Sequence, residues 1–172
     1  MVDLDDANTV RAGVFGVQDG IVSTFGLVMG VAGAQVSPEA VLIAGIAGAF
    51  SGAVSMGAGE YVSVKVQHEL LAARGGAGTE DNVRAHRAAA ANSGLFVLGA
   101  AFPLLPFLLL VGLPAVVTST ALSAVALFTT GALLTRLTHV SPLVSGARML
   151  VIGGGAGLLG YLVGSVLGVT IG

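Results

Sequence analysis

Asp19 is the only charge in an apolar run over residues 12–34. A charged side chain near the centre of a bilayer costs about 2.5–3.5 kcal/mol even on lenient insertion scales, so such an acid faces protein, water or an ion. A second apolar run, over residues 38–66, carries Met56, Glu60 and Lys65. If the two runs are antiparallel helices rising about 1.5 Å per residue, Asp19 lies about 10 Å from the inner end of the first and Glu60 lies at a similar depth in the second, with Met56 one turn deeper. Neighbouring helices would then bring all three to one level. At 100° per residue Asp19 shares a face with Ser23, Gly26 and Gly30, and Glu60 shares one with Gly45, Gly52, Met56 and Ser63. Small residues on both faces permit close helix approach or leave room for an ion.

Carboxylate oxygens beside a thioether suit a first-row divalent metal better than Mg²⁺ or Ca²⁺, because hard cations do not seek sulfur. Acids that bind a metal must release protons. A site that holds either two protons or one divalent cation keeps its buried charge nearly balanced, which is the simplest device for exchanging the one for the other. Asp19, Met56 and Glu60 are thus the candidate metal ligands, with Asp19 and Glu60 as the proton-coupling groups. Each has a blander rival reading. An acid near the end of a span can snorkel or pair with Lys65 or Arg11, and a lone Met is more often packing than ligand. His68, Glu69 and His86 read as a solvated loop whose metal-ligand spacing is weak.

The elements that must position these residues are membrane helices. With 55% hydrophobic residues, 9% charged residues and a mean hydropathy of +0.96, the chain lies far outside the soluble range. A net charge of −2 with few basic residues leaves no electrostatic footprint for nucleic acid. The absence of Cys excludes disulfides, thiolate metal sites and thiol chemistry. Asp3, Asp5 and Asp6 put acid where a signal peptide carries base, so the first hydrophobic segment is expected to stay in the mature protein.

The expected fold is an all-α integral membrane protein with spans at residues 12–34, 38–66, 88–111, 115–134 and 143–171. A polar tail, 1–11, precedes them, and a polar loop, 67–87, joins the second and third. Ser37, Pro38 and Glu39 carry the signals of a helix start. Pro103 and Pro106 predict a kink in the third span, and Gly112-Leu113-Pro114 predicts a tight turn into the fourth. Gly153 and Gly157, then Gly160, Gly164 and Gly168, are a helix-packing pattern. If the tail is inside, Arg11, Lys65, Arg74, Arg84, Arg87, Arg136 and Arg148 all fall on that side, which by the positive-inside rule places the N-terminus inside and the C-terminus outside.

With these residues in hand, the chain resembles the vacuolar iron transporter family over nearly its whole length. Asp19-Gly20-Ile21-Val22-Ser23-Thr24-Phe25, followed by Gly30-Val31-Ala32-Gly33-Ala34, is similar to that family's first-helix signature. Ser55-Met56-Gly57-Ala58-Gly59-Glu60-Tyr61-Val62-Ser63-Val64 is similar to the more specific second one. Pro103-Leu104-Leu105-Pro106-Phe107, Gly146-Ala147-Arg148 and Tyr161-Leu162-Val163-Gly164 match the later helices. The resemblance implies a homodimer in the lipid bilayer that exports Fe²⁺, and Mn²⁺ or other divalent metals, from the cytoplasm in exchange for protons. Fe²⁺ is then substrate and H⁺ the coupling ion, with no organic cofactor. It also implies an ion path near the dimer interface, transport-site roles for Asp19 and Met56, and Glu60 at the cytoplasmic entrance. Ser23, Ser63, His68 and Glu69 are further entrance candidates. Full-length members carry a helical metal-binding domain between the second and third spans, and residues 67–87 are too short to contain it, so the chain resembles the short forms.

Arg outnumbers Lys six to one among abundant Ala, Gly and Val, which suggests a GC-rich bacterial genome. The membrane is then expected to be the plasma membrane, or the vacuolar membrane if the source is eukaryotic. The rival from another class is a non-transporting membrane scaffold or metal sensor. An enzyme is not expected, because no Ser/His pair shares a plausible depth and His139 falls in a loop.

Overall fold

The computed structural model describes residues 4–74, 81–135 and 141–171. These form five helices, α1 (Leu4–Gly33), α2 (Pro38–Ala73), α3 (Asp81–Leu109), α4 (Leu113–Leu134) and α5 (Pro142–Ile171), each long and apolar enough to cross a membrane. Residues 75–80 and 136–140, where the middle of the expected first polar loop and most of the second would lie, fall outside the described residues.

The helix ends follow local chemistry. Gln35, at φ 57°, turns the chain out of α1. Ser37 then caps α2, its hydroxyl oxygen accepting from the Ala40 N–H at 3.3 Å, with Pro38 in the first turn and Glu39 beside it at the positive end of the helix dipole. Gly112, at φ 66°, makes the second turn at that end of the bundle, and its carbonyl accepts from Ala115 and Val116 at the start of α4.

One expectation changes. The helices outrun the spans: α1 already includes residues 4–11, α2 continues to Ala73, and α3 begins at Asp81. At about 1.5 Å per residue the 36 residues of α2 reach about 54 Å against a hydrocarbon core of about 30 Å, so much of the expected loop is helix projecting beyond the membrane. In α3 the helix runs through both Pro103 and Pro106 as far as Leu109, so the prolines do not end it. Ser119 of α4 donates to the Pro103 carbonyl at 2.8 Å, bringing a side-chain donor to a stretch where two residues lack their own N–H.

α1 is the central helix and touches all four others, whereas the α2 backbone, among the described residues, lies against α1 and α3. The packing partners give the directions. Gly16 faces Asn92 and Gly20 faces Phe96, while Gly26 faces Ala156 and Gly30 faces Gly160, so α1, α3 and α5 are parallel. Gly48 faces Leu27 and Gly45 faces Val28, so α2 runs the other way. Every Lys and Arg among the described residues falls in the half of its helix, or on the helix end, nearest the starts of α1, α3 and α5. We call this the charged end.

These contacts are backbone to backbone. A Cβ at Gly20 would overlap the Phe96 carbonyl, one at Gly99 the Val17 carbonyl and one at Gly164 the Gly30 carbonyl. The expected packing role of Gly160, Gly164 and Gly168 is therefore met at Gly26 and Gly30 of α1 and at Ala34 just past its end. Larger side chains fill what remains: Phe25, Val28, Met29, Leu104 and Phe107 in one cluster, Ile21, Ala126 and Leu127 in another. α2 buries only a strip of small residues at four-residue spacing, Val41, Gly45, Ala49, Ala53 and Gly57, and leaves Ile43, Phe50 and Val54 on its outside. An exterior that apolar is what a lipid solvent selects.

Gly20→Ala should therefore cost about 1–3 kcal/mol by forcing α1 from α3. Gly59→Ala, where a Cβ meets nothing, should be neutral or slightly stabilising. Thermal unfolding of the two variants in detergent measures the difference.

Candidate functional site

Between α1, α2 and α3 lies a cavity of about 230 Å³, lined by Asp19, Ser23, Thr24 and Leu27, by Gly48, Gly52, Ser55 and Met56, and by Phe96. The glycines of α2 make room for its walls. A Cβ at Gly48 would run into Leu27 and one at Gly52 into the Phe96 ring. With liquid water at about 30 Å³ per molecule, the space accommodates a cation with several of its waters.

Asp19 and Met56, from antiparallel helices, are brought together here. Asp19 is held in place from behind: Gly20, the next residue, is pressed against the α3 backbone at Phe96, and Phe96 forms the far wall. Ser23 sits one turn along α1 and donates its hydroxyl proton to the Asp19 backbone carbonyl at 2.6 Å. With its proton committed there, the Ser23 oxygen keeps lone pairs for a cation. Ser55 adds a hydroxyl from α2, beside Met56. The donor set is thus one carboxylate, one thioether and neutral oxygens, a mixture that favours a first-row divalent metal over Mg²⁺ or Ca²⁺.

Glu60 is placed differently from the common level the sequence suggested. It does not line the cavity but lies one turn nearer the charged end, where Arg11 donates to its Oε1 from Nη2 at 3.4 Å. Among the described residues, no group of three or more His, Cys, Asp or Glu side chains could hold a metal ion. Ser63 and Glu69 are exposed and His68 is half-buried, all farther along α2 toward the charged end and away from the cavity lining. In that region Tyr61 meets His86 of α3 edge to face, ring centroids 5.0 Å apart, with Lys65 Nζ 6.0 Å from the Tyr61 ring centre.

Five lining residues escaped the sequence reading, Thr24, Leu27, Gly48, Ser55 and Phe96. Thr24 and Leu27 are within reach of a helical-face argument from Asp19, and Ser55 adjoins Met56. Phe96 carries no local signal, since its place depends on α3 lying parallel to α1. Deeper in the bundle, Asn92 and Ser123 are buried polar side chains whose Oδ1 and Oγ have no hydrogen-bond partner.

Residues 10–77 and 73–165 match the sequence model of the VIT family. The chain is 41% identical over 106 residues to "Vacuolar iron transporter homolog 5" of Oryza sativa subsp. japonica, covering 58% of this chain and 51% of that protein. To "Vacuolar iron transporter homolog 1" of Arabidopsis thaliana it is 39% identical over 105 residues, or 58% of this chain and 52% of that one. A shorter match, 48% identical over 62 residues, joins 36% of the chain to 29% of "Vacuolar iron transporter homolog 4" of Oryza sativa subsp. japonica. The chain spans about half the length of the first two.

The sequence holds no Cys, so single cysteines report on the cavity without background. Ser55→Cys should react with a small charged thiosulfonate in lipid vesicles, whereas Val54→Cys, on the outside of α2, should not. Equal labelling of the two would contradict a water-filled cavity.

Proposed function

The chain belongs to the VIT family, and we propose that it carries divalent transition metals, Fe²⁺ foremost and Mn²⁺ beside it, out of the cytoplasm in exchange for protons. The observation that carries this reading is the meeting of Asp19 and Met56, from two antiparallel helices, in one cavity otherwise lined by hydroxyls, glycines and apolar walls. The relatives named for iron transport supply the metal.

The chemistry follows from the donors. A carboxylate takes up a divalent cation only as its anion, so metal entry expels a proton and proton entry favours metal release. Met56 adds a ligand that Fe²⁺ accepts more readily than Mg²⁺ or Ca²⁺. One chain supplies a single carboxylate to the cavity, half the charge that a divalent ion needs. A homodimer in which a second copy brings its own Asp19 and Met56 would balance it, two protons against one metal. The gathering of described Lys and Arg at one end supports an orientation with the N-terminus and that end in the cytoplasm.

In proteoliposomes with an imposed pH gradient, wild-type chain should drive Fe²⁺ flux. Asp19→Asn should lower it by at least about tenfold with the protein still folded, since it removes the charged ligand. Met56→Ala should weaken Fe²⁺ transport more than Mn²⁺ transport, because Mn²⁺ is less demanding of a soft donor. Flux unchanged by Asp19→Asn contradicts the site, and metal binding without flux favours a sensor.

A further inference from the structure

The ion pair between Arg11 and Glu60 joins α1 to α2 at 3.4 Å, and its two members are unequally placed: Glu60 is 11% exposed and Arg11 68%. An acid that deep needs a counter-charge, whereas a long, mostly exposed arginine reaches water by rotating its side chain. Position on the helices adds a second fact. Glu60 is one turn from Met56 on α2 and Arg11 is about two turns from Asp19 on α1, both displaced toward the charged end. The pair therefore joins α1 to α2 between that end and the cavity.

A cation moving along α1 and α2 from the charged end toward the cavity passes Glu60 before it reaches Asp19, and meets it already paired with Arg11. The guanidinium and the incoming ion compete for one carboxylate. A divalent ion carries twice the charge, and the arginine has an exit to solvent.

We propose that Arg11 is a displaceable counter-ion: it occupies Glu60 while no metal is present, and so sets the concentration at which a divalent cation binds there. The direction of traffic rests on the transport reading above, whereas the competition does not. Arg11 acts through Glu60 and touches no ion itself.

The test uses the absence of other cysteines. Arg11→Cys, purified as the full chain, is modified after folding with an aminoethyl (cationic), a methyl (neutral) or a sulfonatoethyl (anionic) thiosulfonate. Equilibrium Mn²⁺ binding is then read from loss of the free-ion electron paramagnetic resonance signal. The neutral adduct should bind Mn²⁺ about fivefold more tightly than wild type, the factor that an exposed ion pair of ordinary strength contributes to an equilibrium constant. The cationic adduct should return to within about twofold of wild type, and the anionic adduct should bind at least as tightly as the neutral one. In an Arg11→Cys/Glu60→Gln background the dependence on adduct charge should vanish. Affinity independent of the adduct overturns the proposal, and so does a charge dependence that survives Glu60→Gln, which would mean that Arg11 acts on the cavity by long-range field alone. Because binding is measured without transport, a wild-type chain that binds Mn²⁺ but moves none overturns the transport reading and leaves this one standing.

Discussion

The position of Asp19 depends on how closely α1 lies against its parallel neighbours. Gly16, Gly20 and Gly99 bring the α1 and α3 backbones into contact, and Gly26, Gly30, Gly160 and Gly164 do the same for α1 and α5. Where the lipid is as apolar as the protein, exclusion from water cannot drive such contacts, so close packing of small residues must hold the bundle. With α1 clamped against α3 and α5, another of its faces turns toward α2. Asp19 lies on that face, beside a helix that contributes glycines and one thioether instead of bulk.

The same economy of side chains on α2 shapes the cavity walls. Its buried strip of Val41, Gly45, Ala49, Ala53 and Gly57 lets it approach α1 and α3, while Gly48 and Gly52 leave the space into which Leu27 and Phe96 project. Ser93 ties this arrangement down by donating to the Ala53 carbonyl at 2.8 Å across the α2–α3 contact.

Much of this was legible in the sequence where the signal is local. Ser37-Pro38-Glu39 and Gly112-Leu113-Pro114 mark their turns by residue type, and the glycine spacing in α5 announces a packing face. The carboxylate and thioether could be matched in depth because α1 and α2 are consecutive and antiparallel. What was not legible depends on non-local geometry. The polar stretch after residue 66 reads as loop only if a helix must end where the membrane does, yet Gln67 to Ala73 are mostly good helix formers and the helix continues. Glu60 had two candidate partners, Arg11 and Lys65, and sequence distance could not choose between them. The crossing of α1 over α2 did, and in doing so drew Glu60 away from the level of Asp19 and Met56.

The central claim is that one divalent metal is held jointly by the Asp19 carboxylate and the Met56 thioether. X-ray absorption at the metal edge, on purified chain loaded with Fe²⁺ under anaerobic conditions, tests it most directly. The account predicts sulfur bonded to iron alongside oxygen, with the sulfur lost in Met56→Leu and the iron itself lost in Asp19→Asn. An all-oxygen environment in the wild type, unchanged by Met56→Leu, would contradict it.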